Sequence, residues 1–238
     1  MIAPARRPTP LPFEVSALLF DLDNTLFDRD RAFMSWAEAF VQTRLSPQDD
    51  LRRREALGLL LSLDAHGYGS RQAMFATLKK AYPLLSESVD SLVEAFYQQL
   101  RDYVSLDEGA RRLLDTLDRR GIPFGIVTNG SHRQLHKIEA LGLDTRATCI
   151  FVSEVFGCRK PEAAIFLAAA ACLNARPAAI LFVGDDSEAD IWGAYCVGMK
   201  TAWLHRGQAW PPEISDHCID LTIGSLGELA DAMAASSV

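Results

Sequence analysis

The chain has 238 residues, enough for one large domain or for a core domain that carries a smaller one. Its 49% hydrophobic, 23% charged and 9% aromatic residues are those of a folded globular protein, which excludes disorder, collagen-like repeats and coiled coil as the main state. The 24 Lys and Arg against 31 Asp and Glu leave a formal charge of −7, the wrong sign for a nucleic acid polymer or an anionic membrane as partner.

In chain order, residues 1–13 hold four prolines and no apolar core of the signal-peptide kind, so they read as a flexible N-terminal arm. VSALLFD from Val15 is an apolar run ended by a carboxylate, and PFGIVTNG from Pro123, CIFVSEVFG from Cys149 and AILFVGDD from Ala179 repeat the pattern. Such runs are expected of buried parallel strands. Between them lie helical spacings at 111–120, 131–141 and 162–173, with a capping box expected at Ser131 and Gln134, a C-terminal glycine at Gly142 and Pro161 in a first turn. KTAWLH from Lys200 and DLTIG from Asp220 supply a fifth and a sixth strand before a last helix. Together these predict a Rossmann-like, doubly wound α/β sheet.

One stretch breaks the alternation. Across 31–105 no strand is evident, whereas Phe33, Trp36, Phe40 and Val41, then Met74, Phe75 and Leu78, then Leu92, Val93, Phe96, Tyr97 and Leu100 recur at helical spacing. The expected organisation is a core at 14–30 and 106–238 interrupted by an α-helical insert at 31–105. The insert is charge-balanced, with nine basic and nine acidic residues, so the net acidity belongs to the core. The insert leaves from the carboxyl end of the first strand, where α/β sheets bind ligands, and that suits a cap. The five cysteines form no C-x-x-C pair, and no run approaches the roughly 18 apolar residues of a membrane helix. A soluble, cytoplasmic protein with reduced thiols is expected.

The candidate chemistry sits at strand ends. Asp21 and Asp23 in LLFDLDNTL are two apart, where like charges raise a pKa or recruit a cation; equally, Asp and Asn there can simply stabilise a turn. GDDSEAD sets Asp185, Asp186 and Asp190 after another apolar run, so five carboxylates are expected to converge. Hard oxygen donors without clustered Cys or His favour Mg²⁺ over zinc, although the same acids, with Ser187 as cap, also suit a helix N-terminus. Thr128, Asn129 and Gly130 offer a hydroxyl and backbone N–H groups to an anion, or a plain helix cap. Lys160, before Pro161, could reach the acids, although a lone lysine more commonly lies at the surface. Arg52, Arg53 and Arg54 read as a solvated helix face, His132 and His136 lack a third metal ligand, the aromatics of the insert read as its core, and Trp203 and Trp210 as closing an edge.

Taken in order, DLDNT, the Thr after the second strand, Lys-Pro and GDDSEAD resemble the four motifs of the haloacid dehalogenase-like (HAD) superfamily, and the insert is similar to that family's C1 caps. The resemblance implies a Mg²⁺-dependent phosphatase acting on a small-molecule phosphate monoester, as a monomer or homodimer. By that resemblance Asp21 is the nucleophile that forms an aspartyl-phosphate, and Asp23 is the general acid and base. It gives Thr25 the turn between them, and gives Thr128 with the Asn129 and Gly130 N–H groups the phosphoryl oxygens. Lys160 offsets negative charge, and Mg²⁺ is held by Asp21, the Asp23 carbonyl and Asp185. Asp190 supports from behind, with Lys160 its expected partner, and Asp186 is expected to touch the metal through water. Asp23 also sets the chain apart from dehalogenases of the superfamily, which lack that carboxylate. Two alternatives stay open: a phosphomutase acting on a sugar phosphate, and a non-catalytic regulatory binding protein on the same scaffold.

Overall fold

The computed structural model describes residues 10–46 and 49–235; the arm expected at the N-terminus therefore lies outside the described residues as far as residue 9. The described chain divides into two compact units, one running to Phe27 and resuming at Leu106, the other spanning Asp28–Ser105.

The first unit is built on six parallel strands: β1 (Ala17–Phe20), β2 (Phe124–Thr128), β3 (Cys149–Val152), β4 (Ile180–Gly184), β5 (Lys200–Leu204) and β6 (Leu221–Ile223). Their order is β3-β2-β1-β4-β5-β6. The chain winds outward one way from β1 through β3 and the other way from β4 through β6. The order therefore reverses between β1 and β4, and the carboxyl ends of these two strands flank the crevice in which such sheets hold ligands. The strands read as unbroken apolar runs because both faces are covered, and every residue of β1, β2 and β4 is buried. One face of this core joins Ala17, Leu19, Ile180 and Phe182 to Ile165, Phe166 and Ala169 of a helix. Each such Leu, Ile or Phe is worth roughly 1.5–3 kcal/mol of burial.

Helices connect the strands: α5 (Glu108–Arg120), α6 (Gln134–Ala140), the short α7 (Ser153–Phe156), α8 (Ala163–Cys172), the short α9 (Gly193–Cys196) and α10 (Leu226–Ala235), with α1 to α4 in the other unit. Gly142 closes α6 as expected: its φ of 66° and the bonds from Gly142 N to Glu139 O and from Leu143 N to Ile138 O form a Schellman stop. Three local expectations are corrected. The helix expected from Ser131 starts at Gln134, so Ser131 and Gln134 form no capping box. Pro161 precedes α8 by two residues instead of lying in its first turn. The turn Ser187–Trp192 is capped by Asp186, whose carboxylate accepts from Glu188 N and Ala189 N, and not by Ser187.

The second unit holds α1 (Arg29–Phe40), α2 (Asp50–Asp64), α3 (Arg71–Ala81) and α4 (Val89–Leu100). Phe33, Trp36, Phe40, Phe75 and Phe96 form its buried aromatic centre; Trp36 meets Phe96 edge-on at 4.6 Å. The aromatic spacing read in the sequence is thus a helical core. Arg52 and Arg53 lie exposed on α2, each beside an acid three residues earlier. Buried in the same unit, Asp64 is shared by Arg29 and Arg71. All five cysteines are free, and among the described residues no helix is long and apolar enough to cross a membrane.

Candidate active site

Because the strands are parallel, the carboxyl ends of β1, β2 and β4 share one edge of the sheet, and the residues just beyond them are brought together. Asp21 follows β1 directly and is anchored by its own N–H, which donates to Val183 O of β4. Its carboxylate, buried like Lys160, accepts from Lys160 Nζ at 2.7 Å. The same ammonium donates to Asp190 Oδ1 at 2.6 Å. Lys160, at 2% exposure, is therefore no surface lysine but a buried bridge between two carboxylates.

The backbone of Lys160 is fixed by Asn129, whose amide donates to Lys160 O at 3.0 Å and accepts from Lys160 N at 2.9 Å. Asp190 is held on both oxygens, since its Oδ2 accepts from Asp186 N at 3.1 Å. Its approach depends on Gly184 at the end of β4, where a Cβ would collide with that Oδ2. Thr25, fully buried, donates its hydroxyl to Asp185 Oδ1 at 3.4 Å and so links the first acidic turn to the last.

Of the five acids expected to converge, three do. Asp21, Asp185 and Asp190 each offer an oxygen, all within 4.8 Å of one another. Asp186 is spent on capping, and the Asp23 side chain turns to other partners. The triplet is electrostatically loaded. Burial, with the charges of Asp21, Asp190 and Asp186 beside it, pushes the Asp185 carboxyl up to about 8, and burial with its acidic neighbours pushes Asp190 up to about 7; Lys160 opposes both. Burial also raises Asp21, again against the pull of Lys160. Burial acts to lower the Lys160 ammonium, but Asp190 and Asp21 outweigh it, so its affinity for the proton rises above the ordinary lysine value. Three hard carboxylate donors with mutual repulsion suit a divalent cation of the Mg²⁺ kind.

The Asp23 surroundings were not foreseen. Lys137 Nζ donates to both Asp23 oxygens, at 2.6 and 2.9 Å, and Gln134 Nε2 donates to Asp23 Oδ2 at 2.6 Å and to Thr128 Oγ1 at 2.8 Å. Thr128, expected to meet phosphoryl oxygens, is buried at the end of β2. The Gly130 N–H, expected to face an anion, instead donates to Ser153 Oγ at 3.0 Å. Trp203 closes no edge: it lies in β5, paired on both sides, and its indole N–H donates to Asp185 O at 3.0 Å. Arg206, not singled out in the sequence, reaches Asn24 O and Thr25 O in the acidic turn and Asp107 at the start of α5. His132 and His136 are exposed, and His132 pairs with Glu154, so they form no metal site.

The chain is similar in sequence to several proteins named as phosphatases. The chain is 29% identical over 238 aligned residues to ribulose-1,5-bisphosphate 5-phosphatase of Halopiger xanaduensis, covering 91% of this chain and 98% of that one. It is also 29% identical, over 208 residues, to phosphoserine phosphatase of Thermus thermophilus, covering 86% and 81%. Among solved structures, the magnesium-bound HAD-hydrolase YfnB of Bacillus subtilis superposes with a TM-score of 0.69 at 26% identity, over 93% of this chain and 99% of that one. A family description, haloacid dehalogenase-like hydrolase, matches residues 15–198, a span that takes in Asp21, Thr128, Lys160 and Asp190 together. The match covers most of the chain, and the chain belongs to the haloacid dehalogenase-like hydrolases.

Proposed function

We propose that the protein is a Mg²⁺-dependent phosphatase that hydrolyses a small-molecule phosphate monoester through an aspartyl-phosphate on Asp21. The observation that carries this reading is the contrast between two carboxylates of one turn. Asp21 is buried against Lys160, whereas Asp23 is half-buried and held by Lys137 and Gln134, outside the Asp21–Asp185–Asp190 triplet. Two acids in unlike surroundings can take unlike roles.

In this mechanism Asp23 enters the first step protonated: an Asp21 oxygen attacks phosphorus as the bond to the leaving oxygen breaks, and Asp23 gives that oxygen its proton and becomes a carboxylate. Water then attacks phosphorus, Asp23 takes a proton from it, and the Asp21–phosphorus bond breaks to release phosphate. Thr128 and the Asn129 N–H hold phosphoryl oxygens, and Lys160 offsets the charge on Asp21 and the phosphoryl group. The Gly130 N–H is left out of that set, because Ser153 engages it.

The oxygens of Asp21 and Asp185 and the Asp23 carbonyl are the proposed metal ligands. Asp190, with both oxygens held by protein donors, serves instead to fix Lys160. Bound there, Mg²⁺ supplies charge neutralisation that lets one anion approach another. The magnesium bound by the YfnB protein and the phosphate-ester substrates named for the two phosphatases support this assignment.

The helical unit, inserted in sequence between the Asp21 turn and Leu106, is assigned the choice of substrate. The test is phosphate release from p-nitrophenyl phosphate and a panel of metabolite monophosphates, with Mg²⁺ and with excess chelator. Asp21→Asn should remove turnover by more than about 10³-fold while the thermal transition stays cooperative. Turnover in chelator, or by Asp21→Asn, would overturn the assignment. Substitutions within residues 28–105 should reorder the panel.

A further inference from the structure

We propose that Gln134 and Lys137 are positioning residues for Asp23: together they form a cradle on α6 that fixes the carboxylate relative to the phosphoryl site. This inference rests on the phosphatase reading and deepens it. The two side chains are three apart, so they lie on one face of α6, a turn from each other. Lys137 Nζ spans both oxygens of Asp23, and its ammonium stands 5.8 Å over the ring of the buried Phe27.

Gln134 does something different. Its amide nitrogen meets Asp23 Oδ2 at 2.6 Å and Thr128 Oγ1 at 2.8 Å. One buried amide therefore ties the proton-transfer carboxylate to the hydroxyl assigned to the phosphoryl group. A carboxylate that only needed charge balance would require the lysine alone. The link to Thr128 adds registration, because moving either group strains the other's hydrogen bond.

The backbone is shaped to let this happen. Gly130 has φ 154°, a conformation side chains rarely adopt, and a Cβ there would come within 2.8 Å of Gln134 Cγ. The missing side chain at Gly130 is the space that Gln134 crosses on its way back to Asp23. The late start of α6 serves the same end, since Gln134 bonds inward instead of capping the helix.

General acid catalysis matters most when the leaving group is a strong base. Phenyl phosphate and p-nitrophenyl phosphate have nearly the same shape, yet phenolate needs a proton far more than p-nitrophenolate does. Comparing kcat/KM on the two esters with Mg²⁺ present therefore reads Asp23 placement directly. Lys137→Met and Gln134→Leu should each lower kcat/KM for phenyl phosphate about tenfold more than for p-nitrophenyl phosphate, a part of the 10²–10⁴ that positioned proton transfer provides. Lys137→Arg, which keeps a cation at that place, should recover part of the lost ratio.

A merely structural role would lower both esters together. Equal falls, within about threefold, or no fall would overturn the inference while wild-type turnover upholds the phosphatase reading. Should the buried Gln134→Leu fail to fold, Lys137→Met decides alone. If the wild-type protein released phosphate from neither ester, the phosphatase reading and this inference would both fall.

Discussion

Lys160→Met removes one charge and little volume from the most loaded point of the molecule. The ammonium lies 2.7 Å from Asp21 and 2.6 Å from Asp190 and is 2% exposed, so water cannot replace it. Taking one partner from a buried ion pair typically costs about 3–5 kcal/mol. The structure points to a loss that depends on pH. Asp185 and Asp190 already sit at about 8 and about 7 with Lys160 present, and without it they rise further. Below their folded values they can shed the penalty by binding protons, and above them they cannot. The folded variant then binds more protons than the unfolded chain, whose aspartates titrate near 3.9, so its stability falls as pH rises. The deficit relative to wild type should grow from about 1–2 kcal/mol at pH 5.5 to about 3–5 kcal/mol at pH 8. Urea denaturation in chelator, followed by tryptophan fluorescence, measures it: three of the four tryptophans, Trp192, Trp203 and Trp210, lie in the same unit as Lys160. A deficit under about 1 kcal/mol, unchanged between the two pH values, would refute the buried-bridge account.

The wild-type protein in chelator should show the same sign in milder form. Asp185 and Asp190 are raised above their ordinary value, so the stability they support is full below about pH 4 and declines as pH rises toward about 8. Saturating Mg²⁺ should flatten that slope, and melting temperatures across pH 5–8 with and without the ion would check it. Gly130→Ala should cost about 1–3 kcal/mol of stability through its backbone conformation alone, and lower turnover as well by displacing Gln134. Wild-type thermal stability and kcat in that variant would contradict the close approach of Gln134 to Gly130.

Much of this protein was legible in its sequence, because the signals were local. An apolar run that ends in a carboxylate declares both a buried strand and the edge on which its chemistry lies, and parallel pairing then brings Asp21, Thr128 and Asp185 to one side. Helical spacing marked the insert, since Phe33, Trp36, Phe40 and Phe96 bury one face whatever else surrounds them. The tertiary structure alone decided which side chains use these positions. Lys137 and Gln134 meet Asp23 across 114 and 111 residues, and Arg206 reaches Asn24 across 182. Nothing near Gln134 in the chain distinguishes a capping glutamine from one that turns inward. The choice was made by the space at Gly130 and by the acceptors Asp23 and Thr128, which only the folded sheet assembles. The five acids show the same division: their number and strand-end places are written in the sequence, but which three share a centre depends on backbone donors. The N–H groups of Glu188 and Ala189 claimed Asp186, and α6 claimed Asp23.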